Sequence, residues 1–309
     1  MSSGRDYAAL SGRAANTRSA LVGCALVVLS AIAFSGKAIL AKLLYRDGVD
    51  ALTVIALRMG FSLPLLFALL SLRQERRGPR LAGRDEVAVL GLGAVGYYAS
   101  VYGDFAGLEY VSAGLERLLM FTYPTLVLLL SALLFKQPIR SLQIVCLLIT
   151  YAGIAIAFRA EIGASDDKVW LGSALVFASA FCYAAYLVAG ARYIDRLGAQ
   201  RFTALSLSAA CVTALAHFGL AGRTLRGLAP RVYGLALVMA VFATVLPALA
   251  LSIGIRRIGA ARAAVLGTVG PVSTLFLAYA LLGEPLTATQ LVGAALVALG
   301  ATLVAFKGR

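Results

Sequence analysis

Hydrophobic residues along this chain gather into ten runs separated by short polar or basic stretches, at about 20–43, 51–72, 87–108, 113–135, 142–158, 171–194, 203–220, 232–255, 261–282 and 290–306. A helix needs roughly 17–25 residues to cross a hydrocarbon layer of about 30 Å, and the runs have that length. They are long and continuous rather than alternating in polarity as barrel strands are, so their backbone amides must be satisfied within helices. The pattern predicts an all-α integral membrane protein with ten transmembrane helices. Arg13 and Arg18 ahead of the first run, with Ala31-Ile32-Ala33 inside it, are similar to a secretion signal. The run continues past the small residues, however, and its removal would destroy an internal repeat.

That repeat divides the runs into two sets of five. Tyr110 through Pro124, Gln137-Pro138, Gln143 and Gly153 align without a gap, at an offset of 147, with Arg257 through Pro271, Glu284-Pro285, Gln290 and Gly300. An odd number of spans per repeat puts the copies in opposite orientations, as two inverted five-helix repeats about an axis in the membrane plane. The expected division is a cytoplasmic tail at 1–19, a first repeat at 20–160 and a second at 169–309. Orientation follows from the basic residues. Segments on the N-terminal side of the membrane carry 18 Lys and Arg, against seven on the other side: Lys42, Arg46, Arg159, Lys168, Arg223, Arg226 and Arg231. This bias predicts both termini in the cytoplasm of a bacterial inner membrane, although the 223–231 loop runs against it.

Composition removes several classes of function. Hydrophobic residues make up 61% of the chain and charged ones 14%, so the main solvent is lipid. Lys and Arg outnumber Asp and Glu by 28 to 14, but no single segment gathers them into one face, and a nucleic-acid partner is not expected. Cys24, Cys146, Cys182 and Cys211 stand singly inside apolar runs, without the spacing of a metal or redox site. There is no GxxxxGK loop for ATP, and an intramembrane enzyme, the alternative from another class, finds one histidine and neither HExxH nor GxSxG. A channel stays an alternative, although the ring of like residues it would use is missing. The leading reading is a gradient-driven or exchanging carrier, with a small-molecule substrate and the lipid bilayer as partners, no cofactor, and a coupling proton as a further candidate.

Candidate chemistry lies in five charges inside the runs: Lys37, Arg58, Asp104, Glu116 and Arg117. A charge within hydrocarbon costs about 2.5–3.5 kcal/mol on insertion scales, so it faces a cavity or a partner. All five fall in the outer half of the predicted topology, where they can share one vestibule. At the repeat offsets of 149 or 147 their counterparts are Tyr186, Leu207, Leu251, Ala263 and Ala264, none of them charged. Two readings are open. In one, Asp104 and Glu116 neutralise Arg58 and Arg117 while Lys37 snorkels outward. In the other, a cation holds a substrate carboxylate and a carboxylate holds its ammonium or carries a proton. Tyr98, Tyr102 and Phe105 share a helix face beside Asp104 and, with Tyr123, are candidate cavity rings for a zwitterion with an apolar or aromatic side chain. His217 reads as an interfacial residue.

Gly259-Ala260-Ala261 leading to Pro271, then Leu282-Gly283-Glu284-Pro285-Leu286-Thr287, Gln290-Leu291-Val292-Gly293 and Gly300, are echoed by Tyr110-Val111-Ser112-Ala113-Gly114, Tyr123-Pro124 and Gln137-Pro138. At these residues the chain resembles the drug/metabolite transporter superfamily, EamA type, with ten transmembrane helices. The resemblance covers nearly the whole chain and implies a metabolite exporter, the bacterial amino-acid exporters, including the YddG-type exporters of aromatic amino acids, being the favoured members; its shared motifs build turns and packing and say little about cargo. Nucleobases, sugar derivatives or drug-like cations are the alternative cargoes. The chain departs from the family pattern at Glu116-Arg117 and at Gln137, which stands where the second repeat has Glu284. Pro124 and Pro271, each without a backbone N–H inside a run, are expected to kink their helices and are candidate gates.

Overall fold

In the computed structural model, which describes residues 3–72, 83–136, 138–139, 141–161, 167–197 and 199–307, the chain is helical throughout, with no strand among those residues. Ten helical rods follow one another among the described residues: α1 (Ser3–Arg46), α2 (Ala51–Leu72), α3 (83–108), α4 (Ala113–Phe135), α5 (Ser141–Glu161), α6 (Asp167–Leu197), α7 (Ala199–Leu220), α8 (Pro230–Ile258), α9 (260–282) and α10 (Ala288–Lys307). Seven stretches are long and apolar enough to cross a membrane: Ser19–Arg46, Ser141–Arg159, Asp167–Ile194, Arg201–Leu220, Val265–Leu282 and the whole of α4 and α8. Shorter apolar stretches, Ala51–Leu66 and Ala288–Leu303, lie in α2 and α10. In α3, Gly91, Gly93, Gly96, Tyr97, Tyr98, Tyr102 and Asp104 dilute the apolar character. Leu133, Val212, Phe242 and Phe276 are exposed on the outside of the rods, as lipid-facing residues are. This is a multi-pass membrane protein. Arg73, Arg76, Arg77 and Arg80, which weigh in the charge bias, and Gln137 and Arg140 lie outside the described residues.

The rods break at matching places. α4 stops being helical at Phe121–Thr122 and α9 at Thr268, and Phe121 and Thr268 are counterparts at the offset of 147. The hydroxyls of Thr122 and Thr268 each donate to the carbonyl three residues back, Leu119 at 2.7 Å and Val265 at 2.6 Å, which closes a tight turn. Pro124 and Pro271 follow within three residues and start the second half of each rod, where a missing N–H costs least. α3 and α8 carry matching π segments, Leu92–Tyr97 and Val241–Val245.

Packing obeys the same two-fold exchange. α1 packs on α8 as α6 packs on α3, α1 on α9 as α6 on α4, and α5 on α10. Small residues set the closest crossings, as they do wherever helices meet in lipid. A Cβ added at Gly107 would lie 2.6 Å from the Gly172 carbonyl, and one at Gly254 would lie 3.0 Å from that of Gly23. Gly153 and Gly293 stand 2.6 Å from each other's carbonyls by the same measure. The hydrogen bonds repeat too. Ser30 donates to the Pro247 carbonyl at 2.8 Å and its counterpart Ser179 to that of Ser100 at 2.6 Å.

One end of the bundle is tied across repeats. The Arg46 guanidinium donates to the Leu282 carbonyl at 2.5 Å, and the Glu284 carboxylate accepts from the Ala113 N–H at 3.1 Å. Glu109 likewise accepts from the Ala51 N–H at 2.6 Å. These carboxylates sit on the positive ends of α4 and α2, which accounts for the Glu284-Pro285 motif as a cap. Arg223 pairs with Asp50 at 3.2 Å and Arg231 with Asp47 at 3.5 Å. Two basic residues of the loop that runs against the charge bias are therefore offset by acids on the neighbouring connection.

Candidate functional site

A cavity of about 600 Å³ lies between the two repeats. Phe34 and Lys37 of α1, Arg58 of α2, Tyr97, Ser100 and Asp104 of α3 and Arg117, Phe121, Tyr123 and Pro124 of α4 line its first-repeat side. Tyr183, Leu251, Ile255, Ala263, Gly267 and Ala301 line the other. Its reach is uneven. Ile255 and Ala263 stand three residues from the Ile258 and Ala260 ends of their helices, about 5 Å at helical rise, so the cavity extends toward the 258–260 end. At the opposite end their counterparts, Leu108 and Glu116, are fully buried.

Lys37 is the centre of the charge cluster. Its ammonium forms an ion pair with Asp104 and stands 3.2 Å from Oε1 of Glu116, so one cation serves two carboxylates. Phe105, fully buried, supports it, with the ammonium 5.5 Å and the Arg58 guanidinium 5.2 Å from the ring centre. Arg58 donates from Nε to the Thr244 hydroxyl at 3.0 Å, and Thr244 donates on to the Met239 carbonyl. Arg117 lies over Phe121 at 5.6 Å and beside Gly270, where an added Cβ would come within 3.0 Å of its guanidinium. Its Nε has no hydrogen-bond partner, and neither Arg58 nor Arg117 enters an ion pair among the described residues.

The pairing thus differs from the arginine-to-carboxylate network of the first of the two readings that the sequence left open. Lys37 is nine residues from the end of α1 and does not snorkel; the acids of α3 and α4 converge on it. Four of the five charges line the cavity, and Glu116 sits behind Lys37, out of reach of the cavity. Tyr123 and Pro124 line it as well; Pro271 does not, although it follows the matching break.

Tyr98 and Tyr102 do not reach the cavity. Counting back from Asp104 by three, four and seven leads to Val101, Ser100 and Tyr97, which line it. Tyr98 and Tyr102 stand one residue further round, about 100° away. There they meet α7: the Tyr98 hydroxyl is 2.5 Å from Nδ1 of His217, and the Tyr102 and His217 rings are 5.4 Å apart. Tyr97, Tyr183, Phe34 and Thr244 were missed by reading the aromatic stripe alone. The repeat offers the signal that finds them, since Phe34 and Tyr183 are counterparts at 149 and Tyr97 and Thr244 at 147.

The comparisons with known proteins agree with this architecture. The model of the EamA-like transporter family matches residues 21–159 and again residues 170–306. An uncharacterized transporter of Bacillus subtilis (strain 168), YcbK, is 28% identical over 281 residues, covering 89% of this chain and 90% of its own. An uncharacterized transporter of Archaeoglobus fulgidus is 25% identical, covering 92% and 96%. A protein of known crystal structure superposes on 93% of this chain and 96% of its own with a TM-score of 0.62 at 17% identity, a likeness of fold alone.

Proposed function

The chain belongs to the EamA-like transporter family, and on that premise we propose a secondary carrier that exports amino acids, those with aromatic or apolar side chains favoured, by alternating access. One observation carries the reading: a cavity of about 600 Å³ between the repeats that combines rings with a cation, Arg117, in no ion pair among the described residues. That volume falls within the range of small-molecule sites. Phe121 and Tyr123, with Tyr183 packed 5.1 Å from the Tyr123 ring and Tyr97 6.3 Å from Tyr183, offer a continuous aromatic bed for a side chain. Neutral nucleobases or sugars would leave Arg117 without a counter-charge, and drug-like cations would meet Lys37, Arg58 and Arg117.

Both termini face the cytoplasm of a bacterial inner membrane in this proposal, and the cavity extends toward that side. The return state would open the sealed end around Leu108 and exchange the roles of the two repeats. Glu116, fully buried with Oε2 unpartnered, is the group through which a proton would couple.

The test is counterflow in proteoliposomes preloaded with unlabelled phenylalanine or leucine. Labelled amino acid should accumulate transiently and saturably, and absence of counterflow for every amino acid tried would remove the substrate class. Cysteine labelling from outside right-side-out vesicles should reach position 223 and not position 257; the reverse pattern overturns the orientation.

A further inference from the structure

We infer that the site selects its cargo by the carboxylate, bound at Arg117, and does not read the ammonium, so that deaminated aromatic or apolar monocarboxylates are cargo as good as amino acids. The inference rests on the proposal that the cavity between the repeats is the cargo site.

The argument is one of charge balance and reach. With every group ionised, Lys37, Arg58 and Arg117 set three positive charges against the two of Asp104 and Glu116. The acids are already taken, because Lys37 bridges both. Their free oxygens, Oδ1 of Asp104 and Oε2 of Glu116, are buried away from the cavity surface, and Glu116 does not line it. A cargo ammonium therefore finds no carboxylate free of Lys37: it would have to displace Lys37 or share Asp104 with it.

A cargo carboxylate faces the opposite situation. Arg117 lines the cavity and has no ion-pair partner among the described residues; its Nε is buried and without a hydrogen bond, so the cavity meets the guanidinium at its terminal nitrogens. A guanidinium held partly buried without a counter-charge is costly, and a planar carboxylate that accepts from both terminal nitrogens relieves that cost. Gly270 leaves room for the guanidinium, whereas the second-repeat counterpart of Arg117 is Ala264. Arg58 is less available, since its Nε is engaged by Thr244. One bound monoanion brings the lining and its buried acids to neutrality; a zwitterion leaves one positive charge uncompensated.

The experiment compares phenylalanine, 3-phenylpropanoate and phenylalaninamide on the full-length protein, as competitors of phenylalanine counterflow and as ligands that raise the thermal stability of the purified protein. 3-Phenylpropanoate should compete within about threefold of phenylalanine, and phenylalaninamide at least about tenfold more weakly. Arg117→Gln should remove the difference between acid and amide, and Arg117→Lys should restore part of it. The inference is overturned, with amino-acid transport intact, if the amide competes as well as phenylalanine or if 3-phenylpropanoate fails to compete. Stabilisation by both acids without any counterflow supports the carboxylate site and overturns the amino-acid carrier instead. Neither stabilisation nor counterflow overturns both.

Discussion

The two walls of the cavity are built by the same scaffold and chemically opposed. On the first-repeat wall Lys37, Arg58, Asp104 and Arg117 meet the cavity; on the second-repeat wall Leu251, the counterpart of Asp104, stands with Ile255, Ala263 and Gly267, none of them charged. Yet the helix crossings, the threonine-closed breaks and the serine hydrogen bonds match across the two-fold. Symmetry therefore belongs to the backbone, which has to adopt two equivalent arrangements if it alternates. Polarity belongs to single side chains, which are free to differ as long as each buried charge is compensated. The two requirements act on different atoms, and substitutions can separate them.

The largest effect is expected at Lys37. Lys37→Met leaves Asp104 and Glu116 buried with no ion-pair partner, a loss of about 3–5 kcal/mol for one side of a buried pair. Folded yield and apparent melting temperature in detergent should fall sharply. Adding Glu116→Gln removes one of the two stranded carboxylates and should recover part of the loss, whereas Glu116→Gln alone leaves the Lys37–Asp104 pair intact and should be mild. If the double variant is no better than Lys37→Met, the charged wall is not held by this cation.

Next in size are the glycine crossings, which test the symmetric side of the comparison. Gly107→Ala brings a methyl to 2.6 Å from a backbone oxygen, and Gly254→Ala brings one to 2.5 Å from Cγ2 of Val27 and 3.0 Å from the Gly23 carbonyl. Each should cost about 1–3 kcal/mol through overpacking, with the two within about 1 kcal/mol of each other. Val27 can rotate and the Gly172 carbonyl cannot, so Gly107→Ala should be the worse of the pair. A large cost in one repeat and none in the other would show that the matching geometry does not carry matching load.

Much of this scaffold was legible in the sequence because lipid imposes long helices and the repeat imposes the pairing. The break at Thr268 is foreshadowed by Pro271, and Tyr123-Pro124 marks its mate. The charge cluster was legible as a set of residues and illegible as a set of partners. Lys37 is 67 residues from Asp104 and 79 from Glu116, and only the tertiary arrangement of α1, α3 and α4 decides which cation meets them. The aromatic lining failed for a local reason: Tyr97, Tyr98 and Tyr102 are close in sequence, and a turn of about 100° per residue separates the cavity face from the α7 face. Asp104, not the densest run of rings, was the better guide to that face.

A smaller pair of effects is expected at Ser30 and Ser179. Each serine gives one hydrogen bond to a carbonyl on the other repeat's helix, and such bonds within membrane proteins average about 0.6 kcal/mol. Ser30→Ala and Ser179→Ala should each lower stability by roughly that amount, read as paired shifts in thermal unfolding. Ser179 also lies 3.2 Å from the Ser100 hydroxyl, so Ser179→Ala should be slightly the larger. A difference of several-fold between them would break the equivalence of the two crossings.

The last pair of effects, opposite in sign, concerns the turn that ends each broken rod, and includes the smallest single change, at Lys136. α4 ends on Lys136 at φ 53° and α9 on Gly283 at φ 69°, counterparts at the offset of 147, both left-handed. An L-residue pays about 1–2 kcal/mol for that conformation, while glycine enters it freely and gives back about 0.5–1 kcal/mol in unfolded-chain entropy. A Cβ at Gly283 would meet nothing within 4 Å, so Gly283→Ala isolates the backbone conformation and should cost about 1 kcal/mol. Lys136→Gly runs the other way. It removes the strain but also the favourable charge of Lys136 near a helix C-terminus, a few tenths of a kcal/mol at an exposed site. The net should be a gain of at most about 0.5 kcal/mol, an upward shift of a degree or so in apparent melting temperature. A clear loss for Lys136→Gly would mean that the lysine is kept in the first repeat for its charge at the membrane face, and that even this turn divides into a shared backbone and a side chain with its own role.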